Sequence, residues 1–223
     1  MMQTTNYNNW VFGMFKKYVG KRIVDIGSGY GTFINYIKDR EYIISIEPSK
    51  DCYEHLKKTF SDNKNISIIN GDLNDDTAKE LSAKDIDTVI CLNVLEHIEN
   101  DRKTIQNINK CLKPGGKFIL YVPALSFIYG TLDESLGHYR RYDKNALEKM
   151  IESNGFKIIS SRYMNFLGVF SWFVYSKILR KRMPAEKRII FYDKYLVPIL
   201  SIIESIVRMP FGQSLLMICE VIK

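Results

Sequence analysis

Three glycines at alternate positions, Gly27, Gly29 and Gly31, follow directly on the largely apolar run Arg22-Ile23-Val24-Asp25-Ile26. Phe33, Ile34 and Ile37 then recur at helical spacing. That order reads as strand, tight turn, helix. Glycine lets the backbone turn sharply and lets a ligand come close to the main chain. In open α/β sheets, the turn at the carboxyl end of the first strand is where nucleotide-like ligands bind. The plain alternative is a tight turn that holds nothing. The rest of the chain decides between them.

Residues 42–47 are nearly continuous in apolar side chains, as expected of a parallel strand covered on both faces. A helix is expected over 48–60 and further strands over 66–70 and 86–92. A helix over 101–111 and a Lys113-Pro114-Gly115-Gly116 turn lead to a fifth strand over 117–122. Strands that alternate with helices in this way predict a doubly wound, mainly parallel sheet. Asp143 reads as the N-cap of a helix that Gly155 stops. Strands over 156–162 and 214–222 follow. The expectation is one domain over 1–223. It comprises an N-terminal helix (1–20), a ligand-binding core (21–162), a helical insert or cap (163–212) and a last strand (213–223).

The residues around the turn describe the ligand. Glu47 stands at the tip of the second strand, 20 residues after Gly27. An acid there can accept hydrogen bonds from both ribose hydroxyls. Asp72, just past the third strand, can accept from an adenine amino group, or simply form a turn after Gly71. Asp25, beside the glycines, would repel a phosphate and attract an ammonium or sulfonium group. Gly-x-Gly-x-Gly also differs from the dinucleotide pattern Gly-x-Gly-x-x-Gly. An amino-acid end, a ribose and an adenine together describe S-adenosylmethionine.

Val24-Asp25-Ile26-Gly27-Ser28-Gly29-Tyr30-Gly31, Ile46-Glu47-Pro48, Gly71-Asp72-Leu73, Asn93-Val94-Leu95-Glu96-His97-Ile98 and Leu112-Lys113-Pro114-Gly115-Gly116 occur in that order. They resemble the ordered motifs of class I S-adenosylmethionine-dependent methyltransferases. The resemblance covers roughly residues 20–160. It implies a Rossmann-like seven-stranded α/β sheet, mostly parallel with an antiparallel last strand. It also implies that Gly27, Ser28, Gly29 and Gly31, with Asp25 nearby, hold the methionine end, that Glu47 and Pro48 meet the ribose, and that Asp72 and Leu73 flank the adenine. Asn93 would present its backbone to the cofactor and His97 would lie beside it. His97 reads equally well as an ordinary helix histidine.

Leu132 to Tyr142, Asn165-Phe166-Leu167-Gly168 and Met209-Pro210-Phe211-Gly212 resemble, more loosely, a bacterial subgroup often found beside glycosyltransferases and lipid-carrier enzymes. The acceptor expected is therefore a small molecule, a glycan or a lipid-linked glycan. Methyl transfer to a hydroxyl needs a base near the proton. His138 is the candidate, with Asp133 or Glu134 behind it, and bracing of the loop is its other reading. Arg140 and Arg141 could clamp an acidic group on the acceptor or pair with nearby acids. Tyr7 or Trp10 could close over the ligand, although such a helix more often packs on the sheet.

Charge adds one clue. Residues 1–123 hold 17 Lys+Arg against 16 Asp+Glu, and residues 124–223 hold 15 against 9. The excess falls near an aromatic, basic segment over 166–209. That suits peripheral contact with an anionic membrane, or else a cap over the acceptor or a homodimer seam. No stretch is long enough to span a bilayer. Four scattered cysteines predict reduced thiols in the cytoplasm, with the inner membrane face as the place of any contact. Three histidines and scattered acids give no metal-ligand spacing, so no metal is expected. No nucleic-acid partner is expected either, because Asn93-Val94-Leu95-Glu96 stands where an Asn/Asp-Pro-Pro-aromatic motif would be. An amino-sugar N-methyltransferase and a non-catalytic cofactor-binding protein are the alternatives.

Overall fold

The structure is a computed structural model that describes residues 4–182 and 186–222. Its centre is a seven-stranded sheet in the order β3-β2-β1-β4-β5-β7-β6. The strands are β1 (Arg22–Ile26), β2 (Tyr42–Glu47), β3 (Ile66–Asn70), β4 (Ile86–Leu92), β5 (Leu112–Pro123), β6 (Phe156–Met164) and β7 (Ser214–Val221). Strands β1 to β5 pair in parallel, and β7 runs antiparallel to both neighbours, β5 and β6.

Side chains alternate strictly across the sheet, as a period of two requires. Val24, Ile44, Val89, Phe118 and Met217 face a core closed by helices α4 (Asp75–Ser82), α5 (Asp101–Cys111) and α7 (Lys144–Glu152). Ile23, Ile43, Ile90, Ile119 and Leu216 face the other way. There they meet α1 (Thr5–Phe15), α2 (Ile34–Ile37) and α10 (Val197–Ile206). A third, smaller cluster of Ile34, Leu56 and Phe60 seats α3 (Lys50–Thr59).

Two local expectations are corrected. Asp143 stands at the N-cap of α7 but makes no side-chain cap bond. Its carboxylate accepts instead from Ser126 N–H and Oγ–H, at 3.1 and 2.6 Å, which pins the preceding loop. Residues 113–116 do not precede β5 but bulge from it. Its register with β4 passes from Ile86↔Leu112 to Thr88↔Lys117, and Gly115 supplies a φ of +73°. The loop over 124–142 contains a short helix, α6 (Thr131–Ser135).

Between β6 and β7 lie α8 (Phe166–Phe173), α9 (Glu186–Phe191) and α10, with π-helical stretches at Val174–Ile178 and Tyr192–Leu196. Two buried acids fasten this insert. Glu204 on α10 accepts from Asn165 and Phe166 N–H at 3.0 and 2.9 Å and so satisfies the start of α8. Asp193 caps α1 across the chain. Thr4 gives that helix no side-chain cap, and Asp193 accepts from Asn6 and Tyr7 N–H at 3.2 and 2.8 Å. Replacing a capping acid by Ala costs about 0.5–2 kcal/mol. Asp193→Ala is therefore expected to lower the thermal midpoint by a few degrees, on the order of 2–4 °C per kcal/mol for a chain of this size. An unchanged midpoint would contradict the cap.

No described helix is long and apolar enough to cross a membrane. Of the four cysteines, Cys52 is half-buried and Cys91, Cys111 and Cys219 are buried.

Candidate functional site

Parallel strands end together, so every turn after β1, β2, β3 and β4 opens on one edge of the sheet. A cavity of about 700 Å³ lies there. Gly27, Glu47, Pro48, Asp72, Leu73, Asn93 and His97 all line it, so residues far apart in the chain meet at one cleft.

The glycines divide the work of the turn. Gly27 has a φ of +65°, and a Cβ there would stand 2.4 Å from Val94 Cγ2. Gly31 has a φ of +79°, and a Cβ there would strike Phe60 and Leu56 at 2.7 and 2.8 Å. Gly27 lines the cavity, whereas Gly31 lets α3 pack close. The Ser28 hydroxyl bonds the Asp25 carbonyl and accepts from Ser45 Oγ, which braces the turn.

Glu47 is buried. Its Oε2 accepts from Gly29 N–H at 2.8 Å and its Oε1 from Ser49 N–H at 2.9 Å. Each carboxylate oxygen has two acceptor sites, so one remains on each for a diol. Asp25 lies beneath the turn, and its Oδ2 is buried without a partner. Burial, opposed by Ser28 and reinforced by the Glu47 charge, pushes this carboxyl up to about 7. A cationic amine is the partner such an atom lacks. The residues present therefore fit S-adenosylmethionine. Glu47 would take its ribose, Asp25 its amine end, and Asp72 and Leu73 its adenine. Asn93 holds a φ of +53° at the tip of β4, with its N–H donated to Tyr121 O at 2.8 Å. Its backbone turns at the cavity wall.

A polar cluster adjoins this cavity. Asp133 is fully buried at its centre. Its Oδ1 accepts from Arg141 Nε at 2.7 Å and from His138 Nδ1 at 3.1 Å. Its Oδ2 accepts from Trp172 Nε1 and Gly130 N–H, both at 3.0 Å. Burial raises the Asp133 pKa, but the His138 bond, the Arg141 charge and the other donors outweigh it and hold the carboxyl below its usual range. A carboxylate so placed accepts only, so His138 Nδ1 carries a proton, and in the neutral ring Nε2 holds the lone pair. The His138 ring meets His97 edge to face, with centroids 4.8 Å apart. The Nδ1 of His97 faces Gly137 O at 3.3 Å. Burial, aided by His138, lowers the His97 pKa, and the Gly137 bond partly restores it.

Several expected roles shift. Glu134 is exposed on α6, and Asp133 alone supports His138. Arg141 is buried, bonded to Asp133 and to Ala124 O and stacked 4.6 Å from the Trp172 ring. Burial lowers its pKa and Asp133 largely compensates. Its position braces the loop and does not present it to an acceptor. Arg140 pairs with Asp101 at 3.0 Å and with Glu99 O at 2.8 Å. Trp10 is buried between α1 and the sheet, in the packing reading.

Tyr7 instead reaches a second cavity, of about 440 Å³, further along the same sheet edge. Leu132, Asn165, Trp172, Arg188 and Asp193 share in lining it. The Tyr7 and Tyr121 hydroxyls meet there at 2.5 Å, and burial raises both pKa values. Sequence reasoning missed Glu96, Trp172, Tyr192 and Asp193. Trp172 and Asp193 matter only through contacts with residues 39 and about 186 positions away, and no local pattern signals those.

Comparison with known proteins accords with this geometry. Residues 13–161 match the family model described as "Methyltransferase domain". The chain is 28% identical to the uncharacterized protein MJ0638 of Methanocaldococcus jannaschii over 201 residues, 81% of this chain and 79% of that one. It is 20% identical to the ubiquinone biosynthesis O-methyltransferase of Coxiella burnetii over 63% of this chain, and the match spans 65% of that protein's length. The structure of an S-adenosylmethionine-dependent methyltransferase from Mesorhizobium loti superposes with a TM-score of 0.63 at 15% identity. That match covers 96% of this chain and 97% of the other. The ordered motifs, the seven-stranded sheet and the acid-lined cavity thus agree with the family match, and the chain belongs to the methyltransferase-domain family as an S-adenosylmethionine-dependent methyltransferase.

Proposed function

We propose that the chain methylates a hydroxyl of a small, glycan or lipid-linked acceptor held in the second cavity and activated at His138. The observation that carries this reading is the Asp133 cluster. It joins the two cavities through His138 beside His97 on one side and Trp172 on the other. The O-methyltransferase of Coxiella burnetii among the relatives is in keeping with an oxygen acceptor.

When bound, the cofactor supplies an electrophilic methyl on a sulfonium. The chain's part is to align an acceptor atom with it and to manage one proton. Alignment in a closed site contributes several kcal/mol of the barrier. His138 Nε2 is free to receive the hydroxyl proton, and Asp133 stabilises the imidazolium that results. Arg188 stands on the wall of the second cavity, 5.2 Å from the Tyr175 ring, so it takes the place expected of Arg140 and Arg141 as a clamp for an acidic group. A screen with methyl-labelled cofactor against hydroxylated sugars and lipid-linked sugars tests the class. Label fixed as a methyl ether is expected, and label found only on amines would overturn the oxygen assignment.

The insert supports a membrane-side acceptor. Among the described residues, 13 of the 20 exposed large apolar side chains fall between Phe170 and Val207. Lys177, Arg180, Lys181, Arg182, Lys187 and Arg188 lie among them. Basic residues near an anionic surface contribute about 1 kcal/mol each, and salt screens them. Co-sedimentation with phosphatidylserine-containing vesicles is expected at low salt and lost at high salt. The double change Ile202→Glu and Ile206→Glu should abolish it. Absence of binding at low salt would contradict the membrane reading.

A further inference from the structure

We propose that Glu96, His97 and His138 form a site for one divalent transition-metal cation, with two imidazoles and one carboxylate as ligands and its open coordination positions towards the cofactor cavity. One potential ligand atom from each of the three residues lies within 4.8 Å of the others. Donors around a single zinc, with bonds of about 2.0–2.1 Å, stand about 3.3 Å apart. Side-chain rotation of about an ångström therefore brings all three into coordination.

Two independent features of the surroundings point to an ion. The first is Glu96. It is fully buried, and neither of its carboxylate oxygens has a hydrogen-bond partner. A buried carboxyl left with no partner is costly to ionise, and a bound cation would offset that cost. Arg141 is committed to Asp133 and to the carbonyls of Ala124 and Gln213. The second is the way the histidines are held. His138 gives Nδ1 to the Asp133 carboxylate, and His97 gives Nδ1 to the Gly137 carbonyl. Both partners accept only, so in the neutral form each ring keeps its proton on Nδ1 and offers Nε2 as a lone pair. Metal-binding histidines are oriented by such carboxylate and carbonyl partners. Two imidazoles favour zinc or another later first-row ion such as iron or nickel over magnesium or calcium, with manganese a weaker-binding paramagnetic probe, and three protein ligands leave positions open.

The site deepens the methyl-transfer reading, because His97 lines the cofactor cavity and His138 is the residue assigned to activation of the acceptor. A cation there would bind the acceptor oxygen and lower the pKa of its hydroxyl. His138 Nε2 is then a ligand, and the ion takes over activation.

Calorimetric titration of the tag-free full chain with Zn2+, and electron paramagnetic resonance with Mn2+, test the site without acceptor or cofactor. Failure of the methyl-transfer reading would thus leave the result standing. About one ion per chain is expected. Glu96→Gln and His138→Ala should each weaken binding by at least the about 10–100-fold that losing even a supporting residue costs. His55→Ala, which removes the exposed third histidine on α3, should leave it unchanged. Far-UV circular dichroism and thermal melts establish that each variant is folded. The inference is overturned if neither ion binds, or if folded Glu96→Gln binds as tightly as the native chain. A loss with His55→Ala as large as with His138→Ala would also overturn it.

Discussion

His138→Ala is expected to lower kcat by about 10²–10⁴, the usual contribution of a positioned acid–base group. Cofactor affinity should stay within about twofold. The split follows from geometry. His138 contacts Asp133 and the His97 ring, whereas Glu47, Asp72 and Leu73 line the cavity proposed to hold the cofactor. Asp133 loses one donor in this variant but keeps Arg141, Trp172 and the Gly130 N–H, so the loop should hold. His138→Asn is the companion variant, because it restores a polar donor towards Asp133 without a group able to take a proton at neutral pH. Both variants should be slow on any acceptor the native chain methylates. Steady-state rates, with cofactor binding measured in parallel, give the comparison, and full turnover by His138→Ala would remove this residue from activation.

Much of the sheet was legible because its signals are local. The apolar runs at 42–47, 66–70 and 86–92 are bounded by turns or polar residues, and β2, β3 and β4 occupy those positions. Helix α4 had no sequence counterpart. Of its eight residues only Ala78 and Leu81 are buried, too short a stripe to register as a period. The cofactor cavity was readable for a similar reason. Its residues sit at fixed places just past strand tips, and parallel topology gathers those tips on one edge.

The acceptor side was far less legible. Asp133, Arg141 and Trp172 form one network from three segments, and which arginine would be buried depends on how residues 124–142 fold over β5. Arg140 and Arg141 are adjacent in sequence, yet one is largely buried against Asp133 and the other reaches outward to Asp101. Glu96 was hidden in another way. It stands in the segment 93–98, beyond the strand expected over 86–92, and its two unpartnered oxygens become visible only with the 3-10 turn Leu95–His97 in place.

The acid-lined cavity is proposed to hold S-adenosylmethionine chiefly through Glu47. The side chain offers one remaining acceptor site per oxygen to a ribose and also fixes Gly29 N–H and Ser49 N–H. Its removal would delete the two hydrogen bonds proposed to the ribose and loosen the turn that frames Gly27. Hydrogen bonds to a charged group contribute about 1.5–3 kcal/mol each, so a loss of about tenfold in affinity is a lower bound. Calorimetric titration of S-adenosylmethionine into the native chain and into Glu47→Ala measures this directly. One site per native chain is expected, with binding at least about tenfold weaker in the variant. Equal affinity in the two proteins, or no binding by the native chain, would contradict it.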